Sequence, residues 1–376
     1  MRTIFDETTL KGMTLKNRFV RSATWEGMCD SDGRPPEKLI RLYGDLARGG
    51  IGLIITSYCF VRPDGKQHPG KMGIYTDDFA PELTALAAAV HAEGGKVCMQ
   101  LVHAGGQTSS KAIGRRPLAP SAVQVAQYDE IPEEMTLSDI REIVTAFGDA
   151  ARRAKTFGFD GVQLHGAHGY LINQFLSPLT NRRTDAYGGT IENRSRFLME
   201  VYGAVRAAVG TDFPVMIKLN GSDFLEGALV ETDAVYAAKA LDAEGIDAIE
   251  VSGGTRASDT RSPARTKINK PELEGYHLPL AAIIRKAVQC PLMVVGGFRS
   301  PAIAQKAIQD GVVDYIALSR PFIREPNLIS RWQRGEDAPA RCISCNQCFG
   351  PGLTEGGIYC VAEKKEREKK AGKITP

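Results

Sequence analysis

Two clusters in this 376-residue chain have the residue types and spacing to do chemistry. In the first, His165, His168 and Tyr170 of QLHGAHGYLINQF follow directly on residues 159–164, whose Val162 and Leu164 suit a buried strand. Polar groups therefore crowd the C-terminal end of a strand, where an α/β barrel carries its active site. Two imidazoles and a phenol there can polarise a carbonyl and supply a proton. Taken alone, the HxxH spacing is equally open to zinc binding or to histidines that satisfy backbone groups. The second cluster is Cys342, Cys345, Cys348 and Cys360, half of the eight cysteines, spaced C-x2-C-x2-C-x11-C. Closely spaced thiolates with one distant fourth ligand suit a [4Fe–4S] cluster, with zinc and free thiols as open alternatives. Cys29, Cys59, Cys98 and Cys290 are scattered and read as core thiols.

The elements that must position these groups show as apolar strand-like runs alternating with stretches of helical period. Strands are expected at residues 19–24, 52–58, 96–103, 161–165, 214–220, 248–253, 291–298 and 315–319, with helices such as 138–157, 190–209, 232–244 and 301–310. Gly94-Gly95, Gly158, Gly210 and Gly245 each close a helix before a strand, as a C′ glycine does. Eight such repeats predict an α/β fold, a closed (β/α)8 TIM barrel over residues 1–340, with a short C-terminal cysteine-rich extension over 341–376. Residues 115–134, with Pro117, Pro120 and Pro132, read as an irregular loop that shapes a pocket.

Composition fits one large enzyme domain, at 43% hydrophobic and 24% charged with 39 glycines for tight turns. A formal charge of +3 is too small to imply nucleic-acid binding, and no apolar run approaches the ~20 residues of a membrane span. The opening MRTIFDETTLKGM lacks an apolar signal core, so a cytoplasmic location is the default expectation.

The long string HGAHGYLINQFLSP, followed by NRRTDAYGGTIENRSRF, closely resembles the signature of the old yellow enzyme family of flavin-dependent oxidoreductases. The resemblance implies that His165 and His168 donate hydrogen bonds to a substrate oxygen and that Tyr170 supplies a proton. It also implies a flavin, and the strand ends offer a consistent site. Gln100 can present donor and acceptor to the pyrimidine edge, although a buried glutamine is also commonly satisfied by backbone. Lys218 in VMIKLN, where most members use arginine, puts a positive charge beside N1 and O2. Gly296 and Gly297 in VVGGF, with Ser319 and Arg320 in ALSRPF, suit a phosphate at strands seven and eight. No GxGxxG follows a strand, so the flavin is expected to be FMN. In LKNRFVRSATWEGM, Ser22, Ala23 and Thr24 would lie along it, while Trp25 stands where relatives carry a small threonine or cysteine. Tyr58 likewise fills a commonly small position.

The cysteine segment resembles that of the branch including 2,4-dienoyl-CoA reductase and trimethylamine dehydrogenase, which continues into a second nucleotide-binding module. Here VAEKKEREKKAGKITP follows instead, too short and charged to fold alone, so electrons would reach a cluster through another protein or subunit. The activity the resemblance implies is reduction of an enone or enoate C=C bond, with NAD(P)H as reductant, hydride from FMN N5 and a proton from Tyr170. Alternatives are amine oxidation, with Trp25 and Tyr58 as an aromatic cage, or a flavin electron-transfer subunit. Arg256, Arg261, Arg265 and Lys267 of the loop after strand six could meet a carboxylate or a CoA phosphate, or simply be solvated. Oligomeric state is left open.

Overall fold

Parallel strands wrapped by helices must be apolar on both faces, and the eight barrel strands are: of all their residues only Tyr58 and Val295 escape full burial. A computed structural model describes residues 2–371. Strands β1 (Phe19–Arg21), β2 (Leu53–Phe60), β3 (Val97–Val102), β4 (Gly161–Gly166), β5 (Val215–Asn220), β6 (Ala248–Ser252), β7 (Leu292–Val295) and β8 (Tyr315–Leu318) pair in parallel and in order, and β8 closes onto β1. The expected (β/α)8 barrel is the fold.

The outer layer comprises α1 (Glu37–Arg48), α2 (Ala80–Ala92), α3 (Leu137–Thr156), α4 (Ile191–Val209), α5 (Glu231–Ala243), α6 (Leu278–Arg285), α7 (Pro301–Gln309) and α8 (Leu328–Gln333). Helix α3 opens on a capping box, in which Thr136 Oγ1 accepts from the Asp139 amide and Asp139 accepts from the Thr136 amide. Gly158, Gly210 and Gly245 hold φ of +88°, +77° and +81°, the left-handed conformation expected of them.

Inside the barrel, Val20, Leu53, Ile55, Cys98, Met216 and Met293 pack with Leu10, Met13 and Leu15 of an N-terminal hairpin (Thr8–Leu10 with Met13–Leu15). That hairpin packs into the apolar end and leaves the polar end as the place for a site. Strand β1 stops at Arg21, earlier than expected. Thr24 Oγ1 donates to Ser22 O (2.9 Å), a local bond that competes with the ladder, although the Ser22 amide still reaches Leu318 O (2.8 Å). Cys59, Cys98 and Cys290 are buried thiols and Cys29 is partly buried against the core.

Beyond the barrel, the tail folds further than its composition suggests. Residues Val361–Ala371 form a helix, α9, that buries none of its residues. Arg367 pairs with Glu363 along it (2.7 Å) and Arg324 of the barrel pairs with Glu366 (2.6 Å). Residues 372–376 of the expected extension lie outside the described residues. No helix among the described residues is long and apolar enough to cross a membrane.

Candidate active site

His165 sits in β4, and the chain turns immediately after it: His168 takes a left-handed φ of +61° and Tyr170 caps the short helix Leu171–Leu176. This tight turn brings the three side chains together. The His165 and His168 rings are 5.2 Å apart and nearly perpendicular, and the Tyr170 ring lies 4.6 Å from His165. Burial, then mutual repulsion with His168 and with Lys218, holds the His165 pKa well below the usual histidine value. Burial followed by Lys218 and His277 does the same for His168. Both imidazoles are therefore neutral at pH 7. His165 Nδ1 accepts from the Ala167 amide (3.4 Å), so its proton belongs on Nε2. His168 Nε2 meets Ser252 Oγ at 2.7 Å. A proton donated by Ser252 fixes the other tautomer, with N–H at Nδ1.

The Tyr170 hydroxyl donates to Gln67 Oε1 (2.9 Å), which also accepts from Tyr58 (3.0 Å), while Gln67 Nε2 donates to Tyr128 (3.2 Å). Burial raises the Tyr170 pKa far above that of a free phenol, so the group keeps its proton. Asn173 and Asn220 both donate to Asp223 Oδ1 and in turn accept from the Gly169 and His168 amides. Asn220 braces the turn from β5, and Asn173 from the helix that follows the turn.

Below this turn lies a buried polar layer that the sequence reading found only in part. Gln100 Nε2 donates to Gln163 Oε1 (2.6 Å), Gln163 Nε2 to Glu250 Oε2 (2.8 Å), and Ser22 Oγ to Glu250 Oε1 (2.6 Å). Lys218 Nζ donates to Ser22 Oγ (2.7 Å) and pairs with Glu250 (3.3 Å). The positive charge expected at Lys218 has a partner that the sequence did not show: parallel pairing sets Glu250 directly beside Lys218. A glutamate inside the apolar run AIEVSGG was the available signal. Gln100 Oε1 is buried without a partner, an acceptor that the imide N–H of a flavin pyrimidine would satisfy.

At the phosphate end, a Cβ on Gly296 would lie 3.0 Å from the His277 amide nitrogen, and Gly297 has a φ of +73°. Glycine is needed there, and backbone N–H groups can approach a ligand closely. Thr24 and Ser319 share a hydroxyl hydrogen bond (2.7 Å) between the segments that follow β1 and β8, and Ala23, next to Thr24 in the chain, is partly buried. Arg320 is buried and already donates to Arg265 O (2.8 Å) and Asn346 Oδ1 (2.6 Å). Its five N–H groups leave it donors for a phosphate as well. The residues at hand fit FMN at both ends.

Trp25 and Tyr58, weighed as a cage for the alternative of amine oxidation, flank a lysine of the chain itself. Lys71, 1% exposed, lies over the Tyr58 ring at 3.5 Å and the Trp25 ring at 4.9 Å. The chain's own amino group lies between the faces an amine substrate would need. Nothing in the local sequence GKQHPGKMG marked this lysine.

The cysteine segment packs on the rim. Ile358 donates its amide to Glu26 O (2.8 Å), Lys267 donates its amide to Ser344 O (3.2 Å), and Asn346 holds Arg320. Among the described residues, no three His, Cys, Asp or Glu side chains stand in a metal-holding group. The thiols are nonetheless neighbours. Burial pushes Cys348 up to about 12 with further increments from Cys342 and Cys345, and Cys342 also raises Cys360.

Residues 3–338 match the NADH:flavin oxidoreductase / NADH oxidase family. An NADH oxidase of Thermoanaerobacter brockii is 38% identical over 351 residues, covering 92% of this chain and 53% of that protein. An NADPH dehydrogenase of Geobacillus sp. (strain WCH70) is 37% identical over 324 residues, 86% of this chain and 91% of that one. Among solved structures, 2-naphthoyl-CoA reductase in complex with 2-naphthoyl-CoA superposes with a TM-score of 0.89 at 30% identity, covering 95% of this chain and 56% of that chain. The chain spans about half the length of the first of these relatives. The barrel, the turn after β4 and these matches together place the chain in the NADH:flavin oxidoreductase / NADH oxidase family, the FMN-dependent NAD(P)H oxidoreductases of old yellow enzyme type.

Proposed function

We propose that the chain reduces the C=C bond of an α,β-unsaturated carbonyl compound at the mouth of the barrel, using NAD(P)H. FMN, when bound along Ser22, Ala23 and Thr24, at Gln100 and Lys218, and by its phosphate at Gly296, Gly297, Ser319 and Arg320, supplies the hydride chemistry. The observation that carries the proposal is the convergence of two neutral imidazoles with one protonated phenol. With Ser252 donating to His168 Nε2, His165 Nε2–H and His168 Nδ1–H are the two donors left for a substrate oxygen. In a buried site they stabilise the negative charge that oxygen develops, without reorganising. Tyr170 holds the proton for Cα, oriented by Gln67. The charge at the pyrimidine edge is near neutral because Glu250 offsets Lys218.

The test is single-turnover kinetics with cyclohexenone. Tyr170→Phe should slow reoxidation of the reduced enzyme by the enone about 100-fold or more, the usual contribution of a general acid. Reduction by NADPH should slow far less. An enzyme that turns over no simple enone would sink the proposal and leave the electron-transfer reading. Amine oxidation is disfavoured by the lysine-filled cage.

For the cysteine segment the proposal is a [4Fe–4S] cluster on Cys342, Cys345, Cys348 and Cys360, a site for one-electron exchange with a carrier protein. Its support is the thiol-rich donor set and the seat of the segment against Glu26 and Arg320 at the barrel rim. Cys348 is protonated near neutrality, so binding must release its proton and metal affinity should rise with pH. Iron and acid-labile sulfide in protein purified without oxygen test it. Zinc alone, or no metal, would overturn it.

A further inference from the structure

Lys71, at the mouth, has no part in the proposed chemistry. Its side chain is 1% exposed, and Nζ has no hydrogen-bond partner. A buried, unpaired ammonium is costly, and burial accordingly lowers this amine's pKa well below the usual lysine value. The two aromatic faces beneath it recover part of that cost and aim it. The nearest acid gives little help: Glu26 accepts from Arg21 (2.5 Å) and from Tyr43 (2.9 Å), so it is already neutralised. Cys29, also close, keeps its proton because burial raises its pKa.

The amine lines a narrow cleft with Tyr58, Gln67 and Tyr170 that is closed to water-sized solutes as these side chains stand, so a ligand enters only where Lys71 and Tyr58 move. Through Tyr58, whose ring is 5.2 Å from Tyr170 and 5.9 Å from His165, this pocket adjoins the catalytic turn. The Arg256 guanidinium belongs to the same electrostatic neighbourhood. The exposed Arg256 side chain enters no ion pair among the described residues, and its charge is felt by Lys71, His68, Tyr128 and Tyr170 alike. One unpaired buried amine and one unpaired guanidinium, with no free acid beside them, make a pocket that lacks an anion.

We infer that this pocket takes a carboxylate carried by the substrate, bound between Lys71 and Arg256, so that the preferred substrates are anionic unsaturated carbonyl compounds. The inference rests on the ene-reductase reading of the same site. The carboxylate draws a proton onto Lys71 as it binds, and the ion pair so formed is desolvated and strong. Tyr58 and Lys71 must shift to admit it, which makes the lysine both plug and receptor.

The test uses FMN-loaded, oxidised enzyme without NAD(P)H, titrated calorimetrically with a benzylideneacetone bearing a ring carboxylate and, separately, with its methyl ester. The wild type should bind the acid at least about tenfold more tightly than the ester, the equivalent of a single desolvated ion pair. Binding of the acid should be accompanied by proton uptake, because burial lowers the pKa of the free amine and the ion pair raises it. Lys71→Met and, on the surface, Arg256→Gln should each collapse the acid-to-ester ratio, and Lys71→Met should abolish the proton uptake. A wild-type ratio near one, or a ratio that survives both substitutions, would overturn the inference, even if Lys71→Met weakens both ligands equally. Turnover of the ester is scored separately: its absence counts against ene reduction, whereas the affinity ratio reads the anion pocket alone.

Discussion

The mouth of the barrel and the cysteine segment differ in what the polypeptide assembles by itself. At the mouth, strand ends hold most polar groups against partners: Gln100, Gln163, Glu250, Ser22 and Lys218 form one continuous hydrogen-bonded layer, and His168 leans on Ser252. In the segment, four thiols are neighbours without being gathered, and three of them are partly exposed. The difference is one of driving force. Burying a polar group unpaired costs so much that folding itself organises the mouth. Thiols carry no such penalty, and a metal must supply the energy that gathers them.

The comparison breaks most visibly at Glu250. Removing one partner of a buried pair leaves the other uncompensated, so Glu250→Ala should cost about 3–5 kcal/mol in urea unfolding. A loss below about 1 kcal/mol would mean that the layer is not self-supporting. Acid should discriminate next. The pKa of His277 falls to about 3 through burial, and those of His165 and His168 are also depressed. The unfolded chain takes up protons below about pH 6.5 where the native mouth refuses them, so stability is complete above that pH and declines as pH falls. Each histidine contributes about 1.4 kcal/mol per pH unit in that window, and His277→Gln should remove its share of the slope. Alkali acts in the opposite sense on the segment. Cys348 keeps its proton to about 12, so between its unfolded value and that point the metal-free segment loses stability as pH rises, and local hydrogen exchange near Cys348 should quicken first. The smallest effect sharpens the contrast. Cys345→Ser should abolish iron binding while moving the metal-free melting temperature by no more than the ~0.5 kcal/mol typical of surface substitutions. A large loss would show that the segment, like the mouth, is built by packing.

Legibility followed the same division. Strands read well where apolar runs are uninterrupted, and glycine ends such as Gly158 marked helix stops because few other residues accept that conformation. His165, His168 and Tyr170 were legible as a site because a single turn carries all three. Ser22 to Thr24 were placed inside a strand that ends at Arg21, since a local Thr24 bond, invisible to periodicity, competes with the ladder. Ser252, Gln67, Gln163 and Glu250 were missed because each works with residues far along the chain: Tyr170 and Gln67 meet across 103 positions, Ser22 and Glu250 across 228. Trp25 and Tyr58 were noticed as departures from small residues, but not what they enclose.

By itself the sequence determined the repeating strand and helix units, the polar turn after β4, the glycines at the phosphate end and the spacing of the thiols, because each is a local matter of period, backbone conformation or chemical type. Tertiary structure alone decided the charge balance. Closing the barrel set Glu250 against Lys218 and left Lys71 beside two aromatic rings with no acid to answer it. Charge is settled by distance and burial, and neither is a property of neighbours in the chain.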